Sequence, residues 1–285
     1  MQNLLFLQSL WAMEFRHADG VERSLEQNIE MIVGAGYDGV SMSFTDAALA
    51  RRAGALLRAS GKVIEAQCFP QTVEDLKPAL ELASAVGVHH LDIQADIRPR
   101  RLHDCIPLIE GWRRLADEVD FPIYFETHRD RMTTDLYFTL DLIECFPDLK
   151  LLGDLSHFLV GREFATPISD ENHAYMRRIL DNCWAFHGRV ASREQVQVEI
   201  SFPHHKMWLD IFLGWWEYGI SSWRRRAGPD DSLAFVCELG PKPYAITGRD
   251  GNDTTDRWLE ALLLRDHVRA LWDGLVGESG DVGPM

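Results

Sequence analysis

Glu126, Asp154, His187 and Glu238 each stand where an apolar, β-forming run gives out. The runs are FPIYFE, LLGD, WAFH and AFVCE. Carboxylates and imidazole carry general acid–base chemistry and bind hard divalent cations. Three carboxylates brought together would repel one another and their pKa values would rise; a divalent cation removes that difficulty. Three oxygen ligands and one imidazole favour Mn²⁺, Mg²⁺ or Co²⁺, with Zn²⁺ as a further candidate. Each residue also has an ordinary reading. Asp154 fits a helix N-cap, His187 a hydrogen-bonded core histidine, and Glu238 before Gly-Pro an exposed strand end. One such residue on each of four consecutive strands is much harder to obtain by chance.

The elements that would position them alternate along the chain. Strand-like runs fall at 4–13, 39–43, 62–69, 90–95, 122–126, 149–155, 184–190 and 233–239. Helical patterns lie between them at 21–34, 46–60, 73–86, 101–118, 134–145 and 171–182, and a last one follows at 255–275. Ser24 is placed to cap the first helix, and Gly87 to end the third. Eight strands alternating with helices predict a single-domain α/β fold, a (β/α)₈ TIM barrel over 1–276, with a flexible tail at 277–285. A doubly wound sheet would carry a phosphate-binding Gly-rich turn after its first strand, and none follows 4–13. In such a barrel chemistry sits at the C-terminal ends of the strands, where the four residues fall. Trp11, Gln67 and Gln94, near the ends of the first, third and fourth strands, could line the same mouth or simply pack.

Composition narrows the partners. A formal charge of −15 over 285 residues repels nucleic-acid phosphates and anionic membrane. The five cysteines form no CxxC pair, which suits packed thiols in a reducing cytoplasm. The apolar start at 4–13 lacks a basic lead and a small-residue cleavage site, so it is read as a strand. Segment 191–231 is the least regular and carries Trp208, Trp215, Trp216 and Trp223. It is expected to be an irregular insertion, either a helix packed on the barrel or a cover or subunit contact.

The motifs PIYFETHRDR, GDLSHF, FHGRV and ELGPKPY, in that order, resemble the xylose-isomerase-like TIM-barrel superfamily, the sugar phosphate isomerase/epimerase group. The resemblance spans nearly the whole chain. It implies Glu126, Asp154, His187 and Glu238 as ligands of one divalent metal, Mn²⁺ first, with Glu126 and Glu238 doubling as the acid/base pair. It further implies His157 and Arg189 as substrate-binding residues, with Arg193 competing for the role of Arg189 and His128 as a polar wall. One departure is evident: after His187 the chain continues ASREQVQVEISFPHHKMW, and Glu199, His204 and His205 are unusual there. A homo-oligomer, dimer or tetramer, is implied as well.

The expected activity is a metal-dependent sugar, sugar-acid or polyol isomerase or epimerase. It would move a proton beside a carbonyl through a metal-stabilised enediolate. The partner is then a small-molecule sugar, with neither nucleic acid nor membrane. The same site could serve a lyase, either an inosose-type dehydratase or a C–C-cleaving deglycosidase. A non-catalytic sugar-binding barrel or partner subunit is the reading from another class.

Overall fold

The computed structural model describes residues 1–17 and 19–279. It is a closed barrel of eight parallel strands in sequence order. The strands are β1 (Asn3–Ser9), β2 (Gly39–Ser43), β3 (Val63–Cys68), β4 (His90–Ile93), β5 (Ile123–Glu126), β6 (Leu151–Asp154), β7 (Cys183–Gly188) and β8 (Ser232–Cys237). β8 pairs with β1 over six residues and closes the ring.

The helices around it are α1 (Leu25–Gly34), α2 (Ala47–Ala59), α3 (Val73–Val86), α4 (Ile106–Ala116), α5 (Leu136–Cys145), α6 (Ser156–Gly161), α7 (Asp170–Leu180), α8 (Lys206–Arg226) and α9 (Arg257–Ser279). Their ends follow local chemistry. Ser24 and Gln27 close a capping box on α1, and Thr72 with Asp75 closes another on α3. Gly87 ends α3 in the left-handed region at φ 76°, which glycine adopts without penalty. Gly39 is required for another reason. A Cβ there would stand 2.0 Å from the Val63 carbonyl oxygen, inside the β2–β3 pairing.

Alternation along each strand sorts the core into two parts. Outward residues such as Phe6, Val40, Ile64, Leu91, Phe125, Leu151, Phe186 and Phe235 pack beneath the helices. Inward, Leu7, Tyr124, Leu152, Ala185, Ala234 and Val236 form a small separate apolar cluster. The polar residues of the barrel interior lie above and beside this floor.

The tryptophan-rich segment is more regular than its sequence suggested. After an irregular stretch and a 3-10 turn at Pro203–His205, it forms the 21-residue helix α8. Trp208, Trp215, Trp216 and Trp223 are all buried on it. Trp216 meets Phe235 of β8 edge-on at 5.1 Å. The helix is therefore the barrel's own outer layer, and these four rings are core. At the C-terminus, residues 277–279 continue α9, and the rest of the expected tail lies outside the described residues. Four of the five cysteines are buried and all five are free thiols. Among the described residues no helix is long and apolar enough to cross a membrane.

Candidate active site

The strand-end residues do meet. Glu126, Asp154, His187 and Glu238 are all buried at the C-terminal mouth of the barrel. The Nδ1 of His187 lies 3.2 Å from Glu238 Oε2 and 3.6 Å from Glu126 Oε1. Asp154 and His187 are register partners on β6 and β7. Cys237 points away, its thiol donating to the Ala261 carbonyl under α9.

His187 is held from behind. Its Nε2 lies 2.8 Å from Glu65 Oε1 of β3. Glu65 also accepts from the Ser41 hydroxyl at 2.6 Å and pairs with His90 Nε2 at 2.7 Å. Strand register puts these three in one row, because Ser41 pairs with Glu65 and Glu65 with His90. Burial pushes the Glu65 carboxyl up, but the facing His187 and His90 rings outweigh it and hold it well below the usual range. Burial likewise drives His187 down, yet Glu65, Glu238 and Glu126 together hold it well above the ordinary histidine value. Burial raises Glu238 too, but His187 first and Arg189 next bring it below.

A further carboxylate stands beside them. Asp92 of β4 is fully buried, and neither of its oxygens has a hydrogen-bond partner. Burial, then the charge of Glu126, pushes it well above the usual carboxylate range. Both Glu126 oxygens and His187 Nδ1 are likewise without hydrogen-bond partners.

Asp154 is engaged. Its Oδ1 accepts from the Ser156 N–H at 3.0 Å and the Ser156 hydroxyl at 2.6 Å. Its Oδ2 accepts from Arg189 at 2.5 Å, with His157 Nε2 at 3.3 Å. Burial raises Asp154, but Arg189 and His157 hold it far below the usual range. Arg189 is itself 1% exposed, and its Nη2 also lies 3.6 Å from Glu238 Oε2.

Above these groups opens a cavity of about 580 Å³. Trp11, Gln67 and Gln94 line it, together with His128, Arg189, Glu238 and Tyr244. Trp11 meets Tyr244 edge-on at 5.1 Å, and the Arg189 guanidinium lies 5.5 Å from the Tyr244 ring. His157 is fully buried, its ring 4.1 Å from that of His128. Burial first, then His157, brings His128 down to about 4. Arg193 does not join them. Its side chain is 44% exposed and pairs with Glu163 at 3.7 Å. Glu199 and His205 shape the loop after β7: Glu199 Oε1 accepts the Ile246 N–H, and His205 Nδ1 lies 2.8 Å from the Glu199 carbonyl.

Sequence reasoning missed Glu65 and Asp92. The signal was present: each sits two residues before a glutamine that faces the cavity, in VIEAQ and LDIQ, and residues i and i+2 share a strand face.

No family model matches this chain, and no curated protein matches its sequence. Solved structures do. A xylose isomerase-like TIM barrel protein from Mycobacterium smegmatis, solved with magnesium, superposes at TM-score 0.62 and 11% identity, covering 94% of this chain and 96% of its own. The fold is similar to that of this xylose isomerase-like TIM barrel protein. A D-psicose 3-epimerase solved in the presence of D-fructose follows at TM-score 0.58 and 12% identity, covering 95% and 99%. The probable 3-DHS dehydratase AsbF from Bacillus anthracis gives 0.57 and 14%, covering 92% and 97%. At these identities the likeness carries the fold.

Proposed function

We propose that this xylose isomerase-like barrel is a divalent-metal-dependent isomerase or epimerase of sugars or sugar acids. One observation carries the reading: two buried glutamates, Glu126 and Glu238, flank His187 Nδ1 at 3.6 and 3.2 Å below an open cavity. The unpartnered oxygens of Glu126 and the unpartnered Nδ1 fit a cation, since bare buried carboxylates are costly without one. Glu126, His187 and Glu238 would hold it. A bound divalent cation supplies Lewis-acid polarisation of a substrate carbonyl. The M. smegmatis protein of the same fold was solved with magnesium. Hard donors of this kind suit Mg²⁺ or Mn²⁺.

The chain's own residues then move protons. One glutamate takes the proton from the carbon beside the carbonyl. The other returns it, either to the opposite face, which inverts the centre, or to the neighbouring carbon, which isomerises it. Glu65 fixes the His187 ring and leaves Nδ1 aimed at both glutamates. Arg189 Nη1, buried and unpartnered beside the cavity, would donate to a substrate oxygen. Trp11 and Tyr244 offer apolar faces to sugar carbons and exclude water from the reacting pair.

A lyase on the same carboxylates is the second reading. The epimerase and the probable dehydratase match this fold almost equally, at TM-scores of 0.58 and 0.57. One experiment separates the readings. Ketoses, sugar acids and cyclic polyol ketones are incubated with the Mn²⁺-supplied protein in D₂O and followed by NMR. Deuterium at the carbon beside the carbonyl with retained carbon skeleton and oxygens supports the isomerase or epimerase. Loss of water or a broken C–C bond supports the lyase. Binding without exchange, unchanged in Glu126→Gln, would sink both in favour of a sugar-binding barrel.

A further inference from the structure

We infer that His90 is a positioning residue for His187, acting through Glu65 from inside the barrel. This role rests on the reading above only in that His187 serves the site. The hydrogen bonds concerned stand whichever reaction runs there.

Glu65 is the hub. As a carboxylate it only accepts. Its Oε1 accepts from the Ser41 hydroxyl at 2.6 Å and from His187 Nε2 at 2.8 Å, and its Oε2 accepts from His90 Nε2 at 2.7 Å. Among the described residues His90 is the one donor to Oε2. Ser41, Glu65, His90 and His187 are all 0% exposed, so bulk water does not replace a lost donor. Without His90, Oε2 would be a bare buried carboxylate oxygen, which is costly. The carboxylate would turn to recover a donor, and the Oε1 that holds His187 would turn with it.

His90 is itself fixed on every side. Strand pairing sets its height, since it is the register partner of Glu65. Its Nδ1 lies 2.8 Å from His89 Nδ1, so both ring nitrogens are engaged. Its ring lies 5.1 Å from that of Tyr124, a member of the inner apolar floor. His89 in turn lines a cavity of about 320 Å³ with Lys150 and Trp184 at the lower end of the barrel. A chain of four side chains, His89–His90–Glu65–His187, thus runs from that end to the mouth. Packing alone does not ask for it. An apolar ring on Tyr124 would fill the same space, whereas Glu65 requires the donor.

The test compares His90→Phe, which keeps a ring and removes the donor, with His90→Gln, whose amide can still donate to Glu65. Nitrogen–proton correlation spectra of the full chain read the His187 Nε2–H signal, assigned by its loss in His187→Gln. Mn²⁺ titration reads the affinity. The expected result is an exchange-protected Nε2–H in wild type and in His90→Gln. In His90→Phe that signal should be lost and Mn²⁺ binding weakened about tenfold, the low end for outer-shell partners. A folded His90→Phe that keeps both the signal and the affinity overturns the inference and leaves His90 as packing. Equal losses in both variants overturn it too, because the donor would then not be what matters. Should His90→Phe not fold, His90→Leu takes its place. In wild type itself, the absence of protected Nε2–H signals from His187 and His90 overturns the inference without any variant. A wild-type chain that takes up no Mn²⁺ sinks the metal reading, and the spectra alone then decide the role of His90.

Discussion

The imidazole of His187 bridges two layers of the barrel: Nε2 lies 2.8 Å from Glu65 below, and Nδ1 lies 3.2 Å from Glu238 above. A carboxylate behind a ligating histidine fixes its tautomer and raises its basicity. Glu65→Gln should therefore weaken Mn²⁺ binding roughly 10–100-fold, as second-shell losses at metal sites do. Calorimetric titration reads the affinity, and circular dichroism checks that the barrel remains. Unchanged affinity in a folded Glu65→Gln protein would remove Glu65 from the site.

Arg189 and Asp154 form an ion pair with almost no exposure, 1% and 0% at the side chains. Removing one partner strands the other. Arg189→Met should lower stability by about 3–5 kcal/mol, the usual penalty for half of a buried pair. Urea unfolding of the single and double variants gives the coupling. A loss under about 1 kcal/mol would mean that water reaches Asp154.

Trp216 separates core from cover on α8. It is 0% exposed and packs on Phe212 and Phe235. Trp216→Ala should cost about 3–5 kcal/mol. Trp216→Phe should cost far less, because the indole N–H has no partner to lose. If Trp216→Ala instead changed turnover at unchanged stability, α8 would be acting as a lid.

The lower end of the barrel carries a pH-sensitive contact. His89 Nδ1 lies 2.8 Å from His90 Nδ1, and burial first, then His90, lowers His89 to about 4. The folded state thus resists a proton that the unfolded chain accepts near pH 6.5. Stability is full above that value and is lost as pH falls towards 4. The loss is on the order of 3 kcal/mol, from a shift of roughly two units. His89→Gln should make the melting temperature fall less steeply over this window, with the buried His128 keeping part of the slope, measured by calorimetry from pH 7 to 4. An equal slope in wild type and variant would assign the acid sensitivity elsewhere.

Much of this was legible in the chain. Strand ends announced themselves because the barrel wall is apolar and the mouth is not, so FPIYFE and LLGD switch character at Glu126 and Asp154. Helix starts were legible where a side chain caps, as at Ser24 and Thr72. The short α6 was signalled only by the reading of Asp154 as a cap, whose Oδ1 does accept the Ser156 N–H although Leu155 holds the cap position itself. Glu65 and Asp92 were overlooked because they lie inside strands and not at their ends, although Gln67 and Gln94, two residues on, share their faces. Arg193 misled because spacing from His187 assumes the chain stays at the mouth, whereas its side chain is out in solvent beside Glu163.

The inner apolar floor of Leu7, Tyr124, Leu152, Ala185, Ala234 and Val236 has a consequence for how such a molecule can change. Its six side chains come from β1, β5, β6, β7 and β8, so the ring is fastened below the strand ends that carry Glu126, Asp154, His187 and Glu238. Substitutions at the mouth can alter what is bound while that fastening persists. The barrel is in this sense a foundation with an exchangeable upper storey, and new specificities can be sought there by randomising Trp11, Gln67, Gln94 and Tyr244 first.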